Sequence, residues 1–486
     1  MGLVQKQSIQ NVLITYLGFF FGAVNTVFLY VKILPDEHYG LVTFILASAA
    51  LLMPLMAFGV HNTLVKFYSF YPESQKNGFT TLILLLPLLG AVPLALLLLV
   101  CRGSIAQWIS QVNPMVGDYL WYIFVTGLAM GYFEVFFSWC KVHMKSVFGN
   151  FMKEVFARVG VTLLLLLFYV EIVSLDAFFK CLVALYVLRT LIIAAYAFRL
   201  RMPRLEFNFP ANSREILAYS LLIILGGSSA LILLEIDKVM LNQFISIENI
   251  AYYGVATYIA TVIIVPSRSM HQITYPLTAE LMNSGQLEKL DKLYKRSSLT
   301  LFIASGLLFI LIMLSLGDLY LMLPEPYRQG HDIVALIGLA KVLDSLLGNN
   351  NSILFNSRYY KTVLGFGVGL AVGTIALNLW LIPEMGLIGA ALASFVSILI
   401  FDVIKLVFVK RKFGILPFTG DTFKVLALLV VLALLFGFIP FGFHPLVNIA
   451  LKSLLVTGLF LGILYRFGIS EDLKGLLDKW LKKSAP

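Results

Sequence analysis

The chain has 486 residues, of which 60% are hydrophobic and only 13% charged, and its mean hydropathy is +0.91. Soluble globular chains carry nearer a quarter charged residues, so an ordinary water-soluble enzyme or binding domain is excluded. A formal charge of +10 would suit nucleic acid if it were gathered on one domain, but Lys and Arg are scattered over many short connections, which is a pattern of membrane topology and gives no nucleic-acid partner.

A helix needs about 20 mostly apolar residues to cross about 30 Å of hydrocarbon. Helices also satisfy their own backbone groups where lipid offers no partner. Spans are therefore predicted at 9–31, 41–64, 80–101, 117–140, 151–171, 177–199, 216–240, 250–273, 298–321, 332–355, 361–382, 386–408, 423–441 and 446–467. The first has no small-residue cleavage site after it and reads as a retained helix, not a signal peptide. Cys101, Cys140 and Cys181 lie in or beside apolar runs without metal-like spacing and read as small core residues. Gly365 and Gly369 fall inside a span without the Lys-Ser/Thr of a phosphate loop, so helix packing is expected there. Beyond the last span, Leu473, Leu476, Leu477, Trp480 and Leu481 recur at helical spacing against Lys474, Lys479, Lys482 and Lys483. That pattern predicts a short interfacial amphipathic helix over 470–483.

The predicted fold is an all-α integral membrane bundle of about 14 helices. The connection 200–215 follows six spans and precedes six more. Lys32-Ile-Leu-Pro-Asp-Glu-His-Tyr39-Gly40 after span one is echoed by Leu241 to Tyr253-Gly254 after span seven. An N-terminal six-helix lobe over 1–205 and a C-terminal six-helix lobe over 206–412 follow, in parallel pseudo-repeat because six spans return the chain to the same side. Residues 413–486 supply two extra helices and the interfacial segment. Pro54 and Pro266 fall at similar distances after the two Tyr-Gly pairs and would bend spans two and eight.

Of the 36 basic residues, only Lys32, Arg102, Lys180, Lys238 and Arg328 fall in one set of alternate connections and flanking span ends. Four more, Arg158, Arg189, Lys341 and Lys452, lie inside spans, and the rest share the other set. Cytoplasmic connections are the basic ones, which predicts both termini in the cytoplasm.

A charge inside a span is costly and normally faces a bundle interior or a wet cavity. Arg189 and Lys341 lie near mid-span. Arg158, two turns from the cytoplasmic end, and Lys452, shallow on the outer side, can instead snorkel. Asp344, three after Lys341, offers a structural pair; Glu134 can meet Arg158, and Asp402 stands three before Lys405. Glu235, Asp237 and Lys238 read as a gate, an ion-coupling site or an interfacial anchor, and Asp344 joins them as a coupling candidate. Cations in a wet cavity suit an anionic ligand, above all a diphosphate, which Arg holds by paired hydrogen bonds. Asn25, Asn62 and Asn378 can bond sugars or glue helices together. The outward connections are short and carry no compact His, Cys and carboxylate cluster, which argues against an enzyme. With no Walker motif, energy would come from a proton or sodium gradient or from the substrate's own, and no cofactor is expected.

Three stretches carry a family likeness: Gln10-Asn11 with Ile33 to Gly40; Ile236-Asp-Lys-Val-Met-Leu241 leading to Ala251-Tyr-Tyr-Gly254; and Asn378 to Ala391. The chain resembles the polysaccharide or oligosaccharide-lipid flippases of the multidrug/oligosaccharidyl-lipid/polysaccharide exporter superfamily. The resemblance implies alternating-access transport of an undecaprenyl-diphosphate-linked oligosaccharide across a bacterial inner membrane for surface polysaccharide biosynthesis, with glycan-assembly proteins as partners. It also implies a basic cavity lining, for which Arg189, Lys341 and Arg158 are this chain's candidates. The family's acidic-basic pair in span seven matches Asp237-Lys238, although a further acid, Glu235, precedes it here. Three other readings stand beside this one: a drug or organic-cation antiporter of the same fold, a peptidoglycan-precursor flippase, and a membrane-embedded glycan polymerase or ligase.

Overall fold

The computed structural model describes residues 3–439 and 442–470, together with 474, 475 and 478. Among them every regular element is helical and no strand occurs. Most of the interfacial helix expected over 470–483 lies outside the described residues. Among the described residues ten helices are each long and apolar enough to cross a membrane, and Ser213–Gly226 with Leu231–Leu241, bent by 55°, makes an eleventh crossing if counted as one.

The other expected crossings are interrupted helices. Ser146–Phe151 and Ala157–Tyr169 are joined through the π-helical turn Met152–Phe156. His331–Leu346 and Asn350–Phe355 are separated by Gly348, whose φ of 56° is left-handed. Tyr360–Phe413 is divided at Gly386, where φ 57° and ψ −128° lie in the mirror-image region that glycine alone enters without strain. Pro54 precedes a break at Phe58 and Gly59, both with positive φ, and Pro266 opens Val265–Asn283 after a 3₁₀ turn. A second π turn, Val24–Leu29, follows Leu3–Ala23 in the first span.

Surface chemistry is inverted relative to a soluble protein. Leu96, Leu97, Leu99 and Leu163 are exposed, and Val100 is 83% exposed, the distribution expected when acyl chains are the solvent. Lipid tails are as apolar as leucine, so close packing rather than water exclusion must hold such helices together.

The chain divides into two compact units, Met1–Gly254 with Leu364–Ala390, and Val255–Val363 with Ala391–Pro486. In unit one Phe67, Phe79, Phe133 and Trp139 form a fully buried aromatic core. The two Tyr-Gly segments meet elsewhere in the same unit. A Cβ on Gly40 would lie 2.0 Å from the Ile247 carbonyl oxygen, and one on Gly254 would lie 3.2 Å from Thr43. Each tyrosine also reaches back to the span before it, Tyr39 donating to the Thr26 carbonyl at 2.9 Å and Tyr253 to Asp237 at 2.5 Å. The connection beyond Leu200 runs along the base of Glu73–Ile109 in the same unit. Arg201 pairs with Glu73 at 2.8 Å, Asn77 donates to Glu206 at 2.9 Å, and Tyr71 donates to Asn212 at 2.5 Å. In unit two, Gly420–Gly437 and Pro445–Phe467 pack on Leu287–Leu321 through Leu429, Phe436, Val456 and Phe460.

Two expectations are corrected. Among the described residues nothing lies within 4 Å of a Cβ built on Gly365, Gly369 or Gly373, so this stripe does not serve the close approach of another described helix. Of the three cysteines only Cys140 is buried; Cys181 is exposed and Cys101 intermediate, because their helix faces point outward.

Candidate functional site

In unit one, a group of charged side chains, of which Arg189 is buried and Lys141 and Lys153 are exposed, gathers around the helix Leu120–Val142. Its residues Phe133 and Phe137, one turn apart, present ring faces to three cations. The Arg189 guanidinium lies 4.1 Å over Phe133, the Lys141 ammonium 4.1 Å over Phe137, and the Lys153 ammonium 5.9 Å from the same ring. Gly149 lets the neighbouring helix press on Phe137, since a Cβ there would fall 2.2 Å from the ring.

Glu134 is bonded by Lys153 at 2.6 Å, and Glu154 by Arg158 at 2.9 Å. The expected meeting of Glu134 with Arg158 is thus corrected. Arg158 uses the acid one turn before it on its own helix, which leaves Glu134 to the lysine that lies nearer.

Arg189 is 7% exposed, and its Nε has no hydrogen-bond partner among the described residues. Its close neighbours are the rings of Phe133 and Tyr186, with Glu134, Glu154 and Arg158 acting on it electrostatically from farther off. Four cations against two acids leave the cluster positive, and both acids are already matched. A cation over an aromatic face gains about 2 kcal/mol when desolvated. That is less than the several kcal/mol needed to strip a charge of water, so the unmatched guanidinium is suited to a ligand that brings negative charge.

The first π turn meets the helix that follows the second, Ala157–Tyr169, beside this cluster. Asn25, inside the first, donates to the Arg158 carbonyl at 2.7 Å and accepts from Thr162 at 2.7 Å. Both ends of the amide are therefore engaged in joining helices. π turns recur at functional sites, and Arg158 stands two residues beyond the second of them. The guanidinium donates to the Glu154 carbonyl at 2.8 Å and lies 5.5 Å from the Phe19 ring. Gly18 makes room for it: a Cβ there would lie 2.6 Å from the Arg158 Nη1.

The other predicted residues form separate groups. Asp237, also in unit one, accepts from Tyr253 and from Asn378 at 2.8 Å, while Lys238 turns to Glu235 at 2.7 Å. The Asn62 amide nitrogen lies 3.3 Å from the ring nitrogen of its neighbour His61. In unit two the expected Lys341–Asp344 pair is corrected. The Asp344 carboxylate takes its close contact from Lys405 at 3.3 Å, and Lys405 also meets Asp402 at 2.8 Å. Lys341 is buried on the same helix and acts on Asp344 electrostatically. Lys452 is held by Asp318 at 2.7 Å and the Leu314 carbonyl at 3.1 Å, a structural anchor for the last span. Among the described residues no group of three or more His, Cys, Asp or Glu side chains is placed to hold a metal.

Sequence reasoning passed over Lys141, Lys153, Phe133 and Phe137. The lysines fall in the basic set of connections and flanking span ends. Their spacing, aromatic at 133 and 137 with acid at 134 and base at 141, was the available signal.

Solved structures share this fold. The lipid II flippase MurJ in an inward closed conformation matches with a TM-score of 0.69 at 15% identity, over 95% of this chain and 100% of that one. An inward-facing multidrug resistance MATE family transporter of the MOP superfamily matches with a TM-score of 0.64 at 13% identity, over 84% and 98%. A MOP superfamily transporter from Pyrococcus furiosus, described by a reverse polarity of its binding pocket, matches with a TM-score of 0.56 at 14% identity, over 85% and 97%. No curated protein matches by sequence. The protein is therefore a multi-pass membrane protein with the MOP-superfamily transporter fold. A family model described as "Polysaccharide biosynthesis protein" matches residues 4–282, more than half of the chain, and the chain belongs to that family.

Proposed function

We propose that this protein is a flippase that carries an undecaprenyl-diphosphate-linked oligosaccharide from the cytoplasmic to the outer face of a bacterial inner membrane by alternating access, with both termini in the cytoplasm. The observation that carries this reading is Arg189, a buried guanidinium without a matched acid in a cluster of net positive charge. A diphosphate supplies the missing negative charge and accepts bidentate hydrogen bonds from guanidinium groups. Arg158 and Lys341 are proposed as further contacts, and Asn378 as a sugar contact. Asn25 is assigned instead to holding the Arg158 helix. The Glu235–Lys238 pair is proposed as a gate. A drug or organic-cation antiporter would expose unmatched carboxylates, and the cluster offers none, since Glu134 and Glu154 are both paired.

The test is reconstitution in liposomes with a lipid-linked oligosaccharide. The glycan is expected to move across the bilayer covalently unchanged, with movement lost in Arg189→Ala. Retained movement with Arg189 and Arg158 both changed to Ala would defeat the anionic-ligand reading, and covalent change of the glycan would make the protein a polymerase or ligase. The likeness to a lipid II flippase favours a second substrate of the same diphosphate chemistry, so lipid II belongs in a parallel arm that reads glycan preference.

A further inference from the structure

Unit one carries a second polar site, apart from the basic cluster. Glu73–Ile109 has 37 residues, about 55 Å of helix at 1.5 Å per residue, against about 30 Å of hydrocarbon. Its last turns, from Arg102 on, stand beyond the predicted span and on the outward side of the proposed topology. There they face the 3₁₀ segment Pro114–Tyr119 across a pocket of about 380 Å³. The pocket is lined by Arg102, Gln107, Ser110 and Asp118, with Pro114 and Gly117 among its apolar surfaces.

Arg102, Gln107 and Asp118 are exposed, and none is committed to an ion pair or a side-chain hydrogen bond among the described residues. The Ser110 Oγ is buried and has no hydrogen-bond partner there either. A Cβ on Gly117 would lie 2.6 Å from that hydroxyl, so glycine at 117 leaves it room. The turn between the two walls is fixed from outside the pocket. Asn113, 5% exposed, donates to the carbonyls of Asn242 and Ile245 at 3.0 Å each, and Asn242 donates back to the Ile109 carbonyl at 2.8 Å. Walls held in this way keep their shape without a ligand, which lowers the cost of ordering on binding.

One cation and one anion on the same small space leave no net charge for a diphosphate to answer. A lone carboxylate falls short of the roughly six to eight oxygens that calcium takes, and no metal-holding group lies here among the described residues. The lining instead suits a neutral ligand that both donates and accepts. Arg102 donates, Asp118 accepts, and Gln107 and Ser110 do both. Guanidinium and carboxylate groups are planar and can each engage two neighbouring oxygens at once. Adjacent hydroxyls of a sugar ring present such oxygens, and Pro114 offers an apolar surface to the ring face.

We propose that this pocket is a carbohydrate subsite on the outward face, which holds a sugar of the glycan once it has crossed. Binding of sugar stands on the pocket alone; its being the transported glycan rests on the flippase reading. With open walls, affinity for a free sugar is weak, about millimolar.

Saturation-transfer NMR on the purified full chain reads the site without lipid or diphosphate. The detergent must lack a sugar headgroup, and the probes are a panel of lipid-free neutral and acidic oligosaccharides. At least one of them is expected to receive saturation on its ring protons. The signal should fall severalfold in Asp118→Asn and in Arg102→Gln, both exposed positions where substitution leaves the fold intact, and should vanish in Gly117→Val, which fills the pocket. Arg189→Ala should leave it unchanged. Absence of binding across the panel, equal binding in Asp118→Asn and Arg102→Gln, loss in Arg189→Ala, or displacement of the sugar by inorganic phosphate overturns the proposal. Failure of a lipid-linked glycan to cross liposomes, with free sugar still bound, would sink only the flippase reading.

Discussion

A guanidinium stacked on phenylalanine and tyrosine is held in place without being neutralised. That is the condition a binding residue for a multiply charged ligand should meet, because charge matched within the protein has little left to offer. Hydrogen bonds to charged groups contribute about 1.5–3 kcal/mol, so Arg189→Ala is expected to weaken binding of a diphosphate lipid roughly ten- to a hundredfold. Arg189→Lys should recover only part of this, since an ammonium lacks the planar two-pronged fork; equilibrium binding of the lipid to purified protein measures both. Arg158 is positioned by what is missing opposite it. Because a Cβ on Gly18 would come within 2.6 Å of both the Arg158 Nη1 and the Glu154 carbonyl oxygen, Gly18→Ala should lower transport while protein yield in the membrane stays near normal. Transport equal to wild type in that variant would show that the placement of Arg158 is immaterial.

Among the elements, the breaks are as informative as the helices. Asn25, inside the π turn Val24–Leu29, is bonded to Arg158 and Thr162 in the helix that follows the π turn Met152–Phe156, so the first span is attached to the fifth where the first departs from α geometry. Gly386 divides the longest helix with backbone angles that an L side chain adopts only under strain. Such strain costs about 1–3 kcal/mol, and Gly386→Ala should lower the melting temperature in detergent accordingly. Gly40→Ala should do likewise for a different reason: its Cβ would meet the Ile247 carbonyl, and overpacking of this kind costs about 1–3 kcal/mol. If neither variant melts earlier, the close approach and the break tolerate side chains and their glycines are incidental.

At the scale of the whole molecule, the basic connections predict which ends face the cytoplasm. In a background with Cys101, Cys140 and Cys181 replaced by Ser, Arg328→Cys should react with a membrane-impermeant thiol reagent on intact cells, and Arg204→Cys only after the membrane is opened. The reverse pattern would invert the proposed topology and with it the direction of transport. What the sequence determined by itself is the helical, membrane-spanning class. Hydrocarbon offers no hydrogen bonds to the backbone, so length and hydropathy along one dimension are enough to identify spans. Tyr-Gly pairs and interrupting prolines were legible for the same reason, being local. The partners of the buried charges were not. Spacing allowed Lys341 with Asp344, and neighbouring spans allowed Glu134 with Arg158, but the rotation of each helix and the reach of each side chain selected Lys405 and Lys153 instead. Those rotations are set by packing among many residues distant in sequence, and only the tertiary structure leaves Arg189 among rings and Asp402 without an aligned hydrogen bond.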